Sequence, residues 1–409
     1  MAKIIFVNRY FYPDHSATSQ LLTDLAFALA NDGEVVHVVT SRQRYDDPGA
    51  RLTEMETNHG VCIHRVWTTS FGRGGLMGRA MDYVTFYLNA AWRLFAVTRA
   101  GDLVIAKTDP PLISVIAMAV AALRGAALIN WVQDLFPEVA EALKIKAVGV
   151  SAPLLRRLRN ASLRAARNNV VLGERMAARL MEQGIAPGAV TIIHNWTDGS
   201  AVYPVAPRDN TLRCEWGLRD KFVVGYSGNM GRAHDFTTLL DAAQRLRSDS
   251  DIVFVFIGAG AQKALIEDEV KRRELNNVMF RPYQPRERLA LSLSVPDVHV
   301  ISLQPQLEGL IVPSKFYGIA AAGRPTLFIG DPNGEIPHIL NAYHCGATAS
   351  IGDIDAVLEY IHNLSQNQDR LREQHGINAR IAFEQQFTQT IAFDAWKRVL
   401  RRQALKAYA

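Results

Sequence analysis

The sequence predicts an α/β protein made of two Rossmann-like domains, each built around a parallel sheet. Short β-rich apolar runs alternate along the chain with segments of helical period, and strands separated by helices form parallel sheets that are covered on both faces. The alternation lapses over residues 198–219, where Pro, Asp, Asn and Gly are frequent, so an interdomain linker is predicted there. A chain of 409 residues is long enough for two complete cores.

The first series of elements precedes this linker. Its first helix is predicted from about Ser16 to Ala30, because Leu21, Leu25 and Leu29 recur on one face. The predicted strands are KIIFVN (3–8), VVHVVT (35–40), CIHRVW (62–67), DLVIAK (102–107), ALINWV (127–132), NNVVLG (168–173) and VTIIHN (190–195).

The second series follows the linker and repeats the same alternation. Its predicted strands are FVVGYSG (222–228), IVFVFIG (252–258), VMFRPY (278–283), VHVISL (298–303) and PTLFIG (325–330). A last helix is predicted over about 388–408.

Composition favours a globular protein of the reducing cytoplasm. Hydrophobic residues make up 48% of the chain and the mean hydropathy is −0.01. The three cysteines, Cys62, Cys214 and Cys345, are far apart and show neither a disulfide framework nor metal-ligand spacing. Lys3 leads directly into a strand, so no signal peptide is expected. The longest apolar run, 110–123, is too short to span a bilayer and predicts a buried helix.

The net charge of +5 can attract nucleic acid, anionic lipid or anionic substrates. Nucleic acid is disfavoured, because the sequence has no finger or helix-turn-helix spacing and no interleaving of aromatic and basic residues on a sheet. Anionic lipid and anionic substrates stay open.

The stretch EGLIVPSKFYGIAAAGRP (308–325) lies between two predicted strands. Pro313 and Ser314 suit the start of a helix, whose free N–H groups and positive dipole end favour a diphosphate. Lys315 adds a positive charge, and Glu308 suits sugar hydroxyls. The stretch therefore has the features of a nucleotide-sugar site, although an ordinary loop with a helix cap fits the same residues.

This stretch resembles the donor signature of GT4-type retaining glycosyltransferases of the GT-B fold. It is similar to bacterial transferases of surface-polysaccharide assembly, including the fucosaminyltransferase-like branch, in which PSK-x-Y precedes AAG-[RK]-P. The resemblance extends from the first strand to about residue 386. It implies two Rossmann-like domains facing a central cleft: an acceptor domain (1–200) and a donor domain (201–387), with the last helix (388–409) packing back onto the first.

The loop GNMGRAH (228–234) follows a predicted strand, and its glycines, beginning with Gly228, allow the backbone to approach a phosphate. Relatives usually carry an Arg just after the first Gly and a Lys five residues further on. Here these positions are Asn229 and His234, which leaves Arg232, His234 and Lys315 to neutralise the diphosphate. A plain strand-to-helix turn is the alternative.

Further donor contacts are expected from Gly309, Leu310 and Ser314. Gly258 and Gly260 also follow a strand. As a dinucleotide fingerprint they are weak, because position 263 is Lys, and a turn near the nucleotide base is expected instead. Most relatives have a second Glu just before IAAAG, where this chain has Gly318, so a carboxylate contact to the ribose is not expected there.

Gln133 and Asp134 follow strand ALINWV, where α/β sheets bind ligands. Relatives often carry His-Asp here, with the His near the outer hydroxyl of the sugar. Gln133 and Asp134 are interpreted as sugar or acceptor contacts, and loss of the His fits a 6-deoxy sugar. Capping of the next helix by Asp134 is the alternative.

The segment DHSATS (14–19) stands where many relatives have a Gly-Gly turn. His15, Ser16 and Thr18 suit an acceptor phosphate at the start of the first helix, and helix capping by Ser16 fits equally well.

Two basic stretches favour an anionic membrane surface. Residues 151–169 carry five arginines and no acid, and residues 72–99 combine Arg73, Arg79, Arg93 and Arg99 with Phe, Tyr, Trp and Leu. Core-packed helices with one solvated face are the alternative. Together the stretches suit a polyprenyl-linked acceptor at the inner face of the cell membrane.

The sequence is therefore interpreted as a glycosyltransferase that moves a sugar from a nucleotide-diphosphate donor, expected to be UDP-linked, to a polysaccharide precursor. Retention of configuration is implied by the resemblance alone. Without a D-x-D cluster at a strand end, the chemistry is expected to be metal-independent, with charge stabilised by Arg232 and Lys315. A GT-B nucleotide-sugar 2-epimerase and a degenerate nucleotide-sugar-binding protein are the alternatives.

Overall fold

The computed structural model describes residues 2–72, 76–145, 148–149, 151–366 and 369–405, so Arg73 of the predicted basic stretch lies outside them. The chain forms two compact units, each with its own sheet. Unit 1 comprises residues 1–193 and 393–409, and unit 2 comprises residues 194–392.

Unit 1 contains an eight-stranded sheet of order β3-β4-β2-β1-β5-β6-β7-β8. β3 is antiparallel to β4, and the other neighbours pair in parallel. The strands are β1 (Ile4–Val7), β2 (Val36–Ser41), β3 (Met55–Asn58), β4 (Val61–Val66), β5 (Leu103–Lys107), β6 (Ala127–Trp131), β7 (Asn168–Val171) and β8 (Val190–Ile192).

Helices cover this sheet, and the last helix of the chain belongs largely to the same unit. Within unit 1, Trp396 packs edge-on against Trp131 at 4.8 Å between ring centroids, and Lys397 Nζ lies 2.6 Å from Asp32 Oδ2. The helices are α1 (Ala17–Asn31), α2 (Leu76–Val97), α3 (Ile113–Arg124), α4 (Glu138–Ala142), α5 (Ala152–Ala165), α6 (Glu174–Glu182) and, after the helices of unit 2, α15 (Gln389–Leu405).

Unit 2 contains a six-stranded parallel sheet of order β11-β10-β9-β12-β13-β14. Its strands are β9 (Phe222–Ser227), β10 (Ile252–Ile257), β11 (Val278–Arg281), β12 (Val298–Ser302), β13 (Thr326–Ile329) and β14 (Gly346–Ala349). Its helices are α7 (Thr211–Glu215), α8 (Thr237–Arg245), α9 (Lys263–Arg272), α10 (Leu289–Leu293), α11 (Lys315–Ala321), α12 (Glu335–Tyr343), α13 (Ile354–Gln366) and α14 (Asp369–Ala382).

All twelve predicted strands form, which confirms the predicted α/β class. Two strands were not predicted: β3, whose sequence METN is mostly polar, and β14, whose sequence GATA carries no large side chain. The linker prediction over 198–219 is wrong, because this stretch contains α7 and buries Leu212 and Leu218 in the core of unit 2. Proline and asparagine there mark turns and helix caps, such as the Asn210 cap of α7.

Most central strands are buried on both faces, as parallel sheets covered by helices require. A helix forms in the apolar run 110–123, as α3, but it is buried on one face only, and Leu123 is 75% exposed. Within the described part of the chain, no helix is both long and apolar enough to span a membrane. The carboxyl ends of the parallel strands meet at one edge of each sheet, and these two edges carry the residues considered next.

Candidate functional site

Two glycine-containing turns, which follow β9 and β10, pack closely against each other at the carboxyl edge of the unit 2 sheet. Gly258 follows β10 with a φ of +137°, and a Cβ there would lie only 2.2 Å from the carbonyl oxygen of Gly228. Gly260 has a φ of +154°, and its Cβ would lie 2.5 Å from the backbone nitrogen of Met230. A side chain at either position would separate the turns, so glycine is needed for the loops after β9 and β10 to meet.

The side chain of Lys315 lies over the first of these turns. Its Nζ is 3.8 Å from the ring centroid of Tyr226 and donates to the Tyr226 hydroxyl at 2.5 Å. That hydroxyl in turn donates to the carbonyl oxygen of Asn229 at 2.8 Å. A Cβ at Gly228 would lie 3.6 Å from Lys315 Nζ. The ammonium group is therefore held at the backbone of the glycine turn.

Burial lowers the pKa of Lys315 to about 7, because removal of water disfavours the charged form. No acidic partner of Lys315 occurs among the described contacts, so the ring and hydroxyl of Tyr226 offset only part of this loss of solvation. A desolvated ammonium group without an acidic partner among the described contacts is suited to an incoming anion.

His234 lies in the same loop but does not carry the expected charge. Its Nδ1 donates to the carbonyl oxygen of Ser302 at 2.5 Å. Burial, with a further contribution from Lys315, lowers the pKa of His234 to about 3. In the free protein the ring is therefore neutral and offers Nε2 as a hydrogen-bond acceptor. That His234 helps to neutralise a diphosphate stays a prediction.

Arg232 and Ser314 are exposed at the ends of the donor loops. No ion pair of Arg232 is found in the described residues, and the side chain of Ser314 makes no cap to α11 although it occupies the N-cap position. The helix predicted at Pro313 begins instead at Lys315 and has seven residues.

Glu308 is held by the start of α12. The side chain is only 9% exposed, and its Oε1 accepts the backbone N–H of Glu335 at 2.7 Å. Its Oε2 lies so close to Gly334 that a Cβ there would be 2.6 Å away. The carboxylate is thereby oriented by a helix N-terminus, whose partial positive charge favours it.

Gly309 and Leu310 continue the chain beyond Glu308. Gly309 turns with a φ of +75°, and the Leu310 side chain is 7% exposed, so Leu310 offers a ligand mainly its backbone. At Gly318 a Cβ would lie 3.1 Å from Leu293 Cδ1. Gly318, which stands where most relatives have a second Glu, therefore faces a packed side chain.

Gln133 and Asp134 stand at the carboxyl edge of the unit 1 sheet. The Thr108 hydroxyl accepts the backbone N–H of Gln133 at 3.0 Å and also bonds the Asp134 side chain. Burial raises the pKa of Asp134 to about 6, and its Oδ1 is buried without a partner among the described residues. Asp134 does not cap the next helix, because α4 begins four residues later with Pro137 at its N-cap.

Sequence analysis missed the charged side chains around this edge. Arg9 Nη2 lies 3.6 Å from Asp82 Oδ2, and Lys107 Nζ lies 3.6 Å from the ring centroid of Trp131. Burial raises the pKa of Asp109, and Arg9 opposes that shift. Arg9 and Asp109 follow β1 and β5, so their position after predicted strands was a signal that could have identified them.

The predicted acceptor residues are only partly brought together. The Ser16 hydroxyl donates to Asp14 Oδ1 at 2.5 Å and makes no cap to α1, so the capping alternative is wrong. The carbonyl oxygen of Thr18 accepts from Lys107 Nζ at 2.9 Å, which joins it to the strand edge. His15 is exposed.

Two family models match the chain, one in each half. The model for glycosyl transferases group 1 matches residues 210–382, and the model for a glycosyl transferase 4-like domain matches residues 18–196. The two matches together cover both units.

Curated relatives extend this likeness. The probable glycosyltransferase WbjE of Pseudomonas aeruginosa is 31% identical over 285 residues, which are 67% of this chain and 68% of WbjE. The putative colanic acid biosynthesis glycosyl transferase WcaI of Escherichia coli K12 is 24% identical over 352 residues, or 83% of this chain and 86% of WcaI.

Solved structures share the fold at low sequence identity. Sucrose-phosphate synthase from Thermosynechococcus elongatus superimposes with a TM-score of 0.78 at 16% identity, with all of both chains covered. Anabaena HepE in complex with UDP and glucose gives a TM-score of 0.72 at 15% identity, over 98% of this chain and all of HepE.

Proposed function

The chain belongs to the group 1, GT4-like glycosyltransferases and has their GT-B fold, and from this premise we propose that it assembles a bacterial surface polysaccharide. We propose that it transfers a sugar from a nucleoside-diphosphate donor, UDP-linked, to a lipid-linked or oligosaccharide precursor. The relatives WcaI and WbjE support this assignment, since WcaI is named for colanic acid biosynthesis and WbjE as a glycosyltransferase.

The observation that carries the donor assignment is the position of Lys315 over the Gly228 turn. A Cβ at Gly228 would lie 3.6 Å from Lys315 Nζ, and burial lowers the pKa of Lys315 to about 7 without an acidic partner among the described contacts. A diphosphate supplies negative charge, and Anabaena HepE, which shares the fold, binds UDP. Glu308, fixed by α12, is assigned to hydroxyls of the donor sugar.

Charge that develops on the leaving diphosphate would be stabilised by Lys315 and by the exposed Arg232. In the described residues, the one group of three side chains suited to a metal ion, His37, Cys62 and His64, lies in unit 1 rather than on the donor loops. Transfer is therefore proposed to need no divalent metal. We propose retention of configuration on the resemblance to GT4-type transferases.

We assign the acceptor to unit 1 and its membrane contact to α2. Along α2 the side chains of Met77, Leu88 and Trp92 are 86%, 68% and 75% exposed. They belong to an exposed apolar stripe at helical spacing, the α2 stripe: Met77, Met81, Val84, Leu88, Trp92 and Phe95. An apolar stripe of this size in water favours an interface, and its aromatic rings suit lipid headgroups.

The arginines of α5 contribute less than their number suggested. Arg156 pairs with Glu138 and Glu141 of α4, and Arg159 is 6% exposed and pairs with Glu138 at 2.5 Å. Arg157 is exposed and free to face a lipid surface. The membrane proposal therefore depends on the α2 stripe first and on basic charge second.

Two measurements test the proposed function. Thermal-shift screening with nucleotide-sugars identifies the donor, because a ligand that binds only the folded state raises the melting temperature. Transfer of a radiolabelled sugar from that donor to a polyprenyl-diphosphate sugar then tests the reaction. Formation of an epimer without acceptor would favour the epimerase alternative, and binding without turnover would favour a binding protein.

Sedimentation with vesicles tests the membrane contact. Wild type should bind vesicles that contain anionic lipid, and the Leu88→Ser/Trp92→Ser variant should stay in the supernatant while keeping its circular dichroism. Exposed Tyr203 in unit 2, changed to Ser, serves as the control. If wild type stays in solution at low salt, the acceptor is soluble and the lipid-linked assignment fails.

A further inference from the structure

Three side chains with metal-binding atoms meet on one face of the unit 1 sheet. Cys62 and His64 lie two residues apart on β4, and His37 lies on the adjacent β2, paired in register with Cys62. Residues two apart on a strand point to the same face, and parallel partners in register do so as well. The three ligand atoms lie within 4.8 Å of one another.

The distances between these atoms are close to those of a tetrahedral metal centre. His37 Nδ1 lies 2.9 Å from His64 Nε2, and Cys62 Sγ lies 3.5 Å from the same nitrogen. A tetrahedral zinc ion with ordinary bond lengths separates two nitrogens by about 3.3 Å and a nitrogen and a sulfur by about 3.6 Å. These two distances differ from the tetrahedral values by a few tenths of an ångström or less, and the third, between the ligand atoms of Cys62 and His37, is at most 4.8 Å.

Burial leaves one side of the group open. His64 is 4% exposed, whereas His37 and Cys62 are partly exposed. The imidazole rings are stacked with an interplanar angle of 10° and a centroid distance of 5.2 Å. Rigid strands therefore hold the ligands, and solvent reaches the centre, so a water molecule can supply a fourth ligand.

We propose that His37, Cys62 and His64 form a zinc site. Two imidazole nitrogens and one thiolate are a donor set that suits zinc and other borderline or soft transition metals and that hard cations such as Mg²⁺ and Ca²⁺ avoid. Both imidazoles would bind as neutral ligands, so the proton of the His37–His64 hydrogen bond would move to the other nitrogen of the ring that carries it, and the thiol would release its proton to solvent.

The site would be structural, because it lies at the amino ends of β2 and β4. The polar residues of unit 1 assigned to ligands, such as Gln133 and Asp134, follow the carboxyl ends of strands instead. Lys3 and Arg93 are the nearby cations, and each already has an acidic partner, Asp102 at 3.5 Å and Glu54 at 3.1 Å. A bound metal would join β4 to β2 without taking part in transfer.

Titration of purified, metal-free protein with Zn²⁺ or Co²⁺ tests this site. We expect one ion per chain, a thiolate-to-cobalt charge-transfer band with Co²⁺, and a higher melting temperature with Zn²⁺ but not with Mg²⁺. Cys62→Ser and His37→Gln should each lower the Zn²⁺ affinity by at least roughly 100-fold, since even outer-shell changes cost 10- to 100-fold.

Cys214→Ser is the matched control, because Cys214 is an exposed cysteine of unit 2 and should not alter metal binding. The cobalt band is read on wild type, so it does not depend on how the variants fold. If that band is absent, or if wild type and Cys62→Ser bind Zn²⁺ with equal affinity, the proposal is overturned. His37 and His64 would then form a hydrogen-bonded pair without a metal. Sugar transfer by Cys62→Ser should equal that of wild type.

Discussion

The carboxyl edges of the two sheets carry different chemistry. In unit 2 two strands end in glycine turns that pack closely together, and Lys315 beside them has no acidic partner among the described contacts. In unit 1 Arg9, which follows β1, pairs with Asp82 of α2. The cation of the first edge therefore has no acidic partner among the described contacts, whereas Arg9 at the second edge has one. We infer that the unit 2 edge binds an anion and that the unit 1 edge binds a neutral, hydroxyl-bearing group.

The largest effect should follow from removal of the cation in unit 2. Lys315→Ala should slow transfer by about 10²- to 10³-fold, or ~2.7–4 kcal/mol, because the leaving diphosphate loses a preorganised charge. Steady-state kinetics with the identified donor measure this. Lys221→Ala is the control, since Lys221 forms a surface pair with Asp251 at 3.4 Å and such pairs contribute ~0–1 kcal/mol. Unchanged kinetics in a folded Lys315→Ala protein would remove Lys315 from the site.

Glu308→Gln should separate sugar recognition from nucleotide recognition. A glutamine retains the oxygen that accepts from Glu335, so the loop should stay in place. Loss of a charged hydrogen bond to the sugar, worth ~1.5–3 kcal/mol, should lower transfer by roughly 10- to 100-fold. Calorimetry should show nearly unchanged affinity for free UDP. A comparable loss of UDP affinity would instead place Glu308 at the ribose or phosphates.

The pH dependence of donor binding tests whether the unit 2 edge depends on a titrating cation. The pKa of Lys315 is about 7 in the free protein, and a bound diphosphate favours the protonated form. The UDP affinity should therefore fall as pH rises above about 7, by up to tenfold per pH unit. Calorimetry between about pH 7 and 9 measures the slope, and Lys315→Ala should abolish it. An equal slope in both proteins would contradict the assignment.

The smallest expected effect is a pH-dependent change in the stability of the protein that depends on Asp134 at the unit 1 edge. The pKa of Asp134 is raised to about 6 in the folded state. Between the ordinary carboxyl pKa and about 6, the folded state therefore binds more protons than the unfolded state. The free energy of unfolding consequently falls as the pH rises through that window. Asparagine does not titrate, so the Asp134→Asn variant should not lose this stability. The difference in free energy of unfolding, variant minus wild type, should therefore be about 1 kcal/mol more positive at pH 8 than at pH 5.

Thermal melts at both pH values measure this difference. The exposed carboxylate of Asp220, changed to Asn, is the control and should show no such pH-dependent difference. If Asp134→Asn melts in parallel with wild type at both pH values, the carboxyl is not desolvated, and the two edges differ less than the geometry indicates.

By itself, the sequence determined the α/β class, the succession of strands and helices and the loops that carry the donor residues. These features depend on local periodicity: buried parallel strands are short apolar runs, and ligand loops follow their carboxyl ends. The most distinctive part of the family resemblance is one contiguous stretch, 308–325, and so was also visible without a structure.

Only the tertiary structure decided which side chains meet. Lys315 and Tyr226 are 89 residues apart, and His37 and His64 are 27 apart on different strands, so no spacing rule connects them. The charge state of His234 and the pairing of the α5 arginines likewise depend on neighbours and burial. The physical reason is that strand order and desolvation are properties of the packed chain, whereas a sequence window records only local preference.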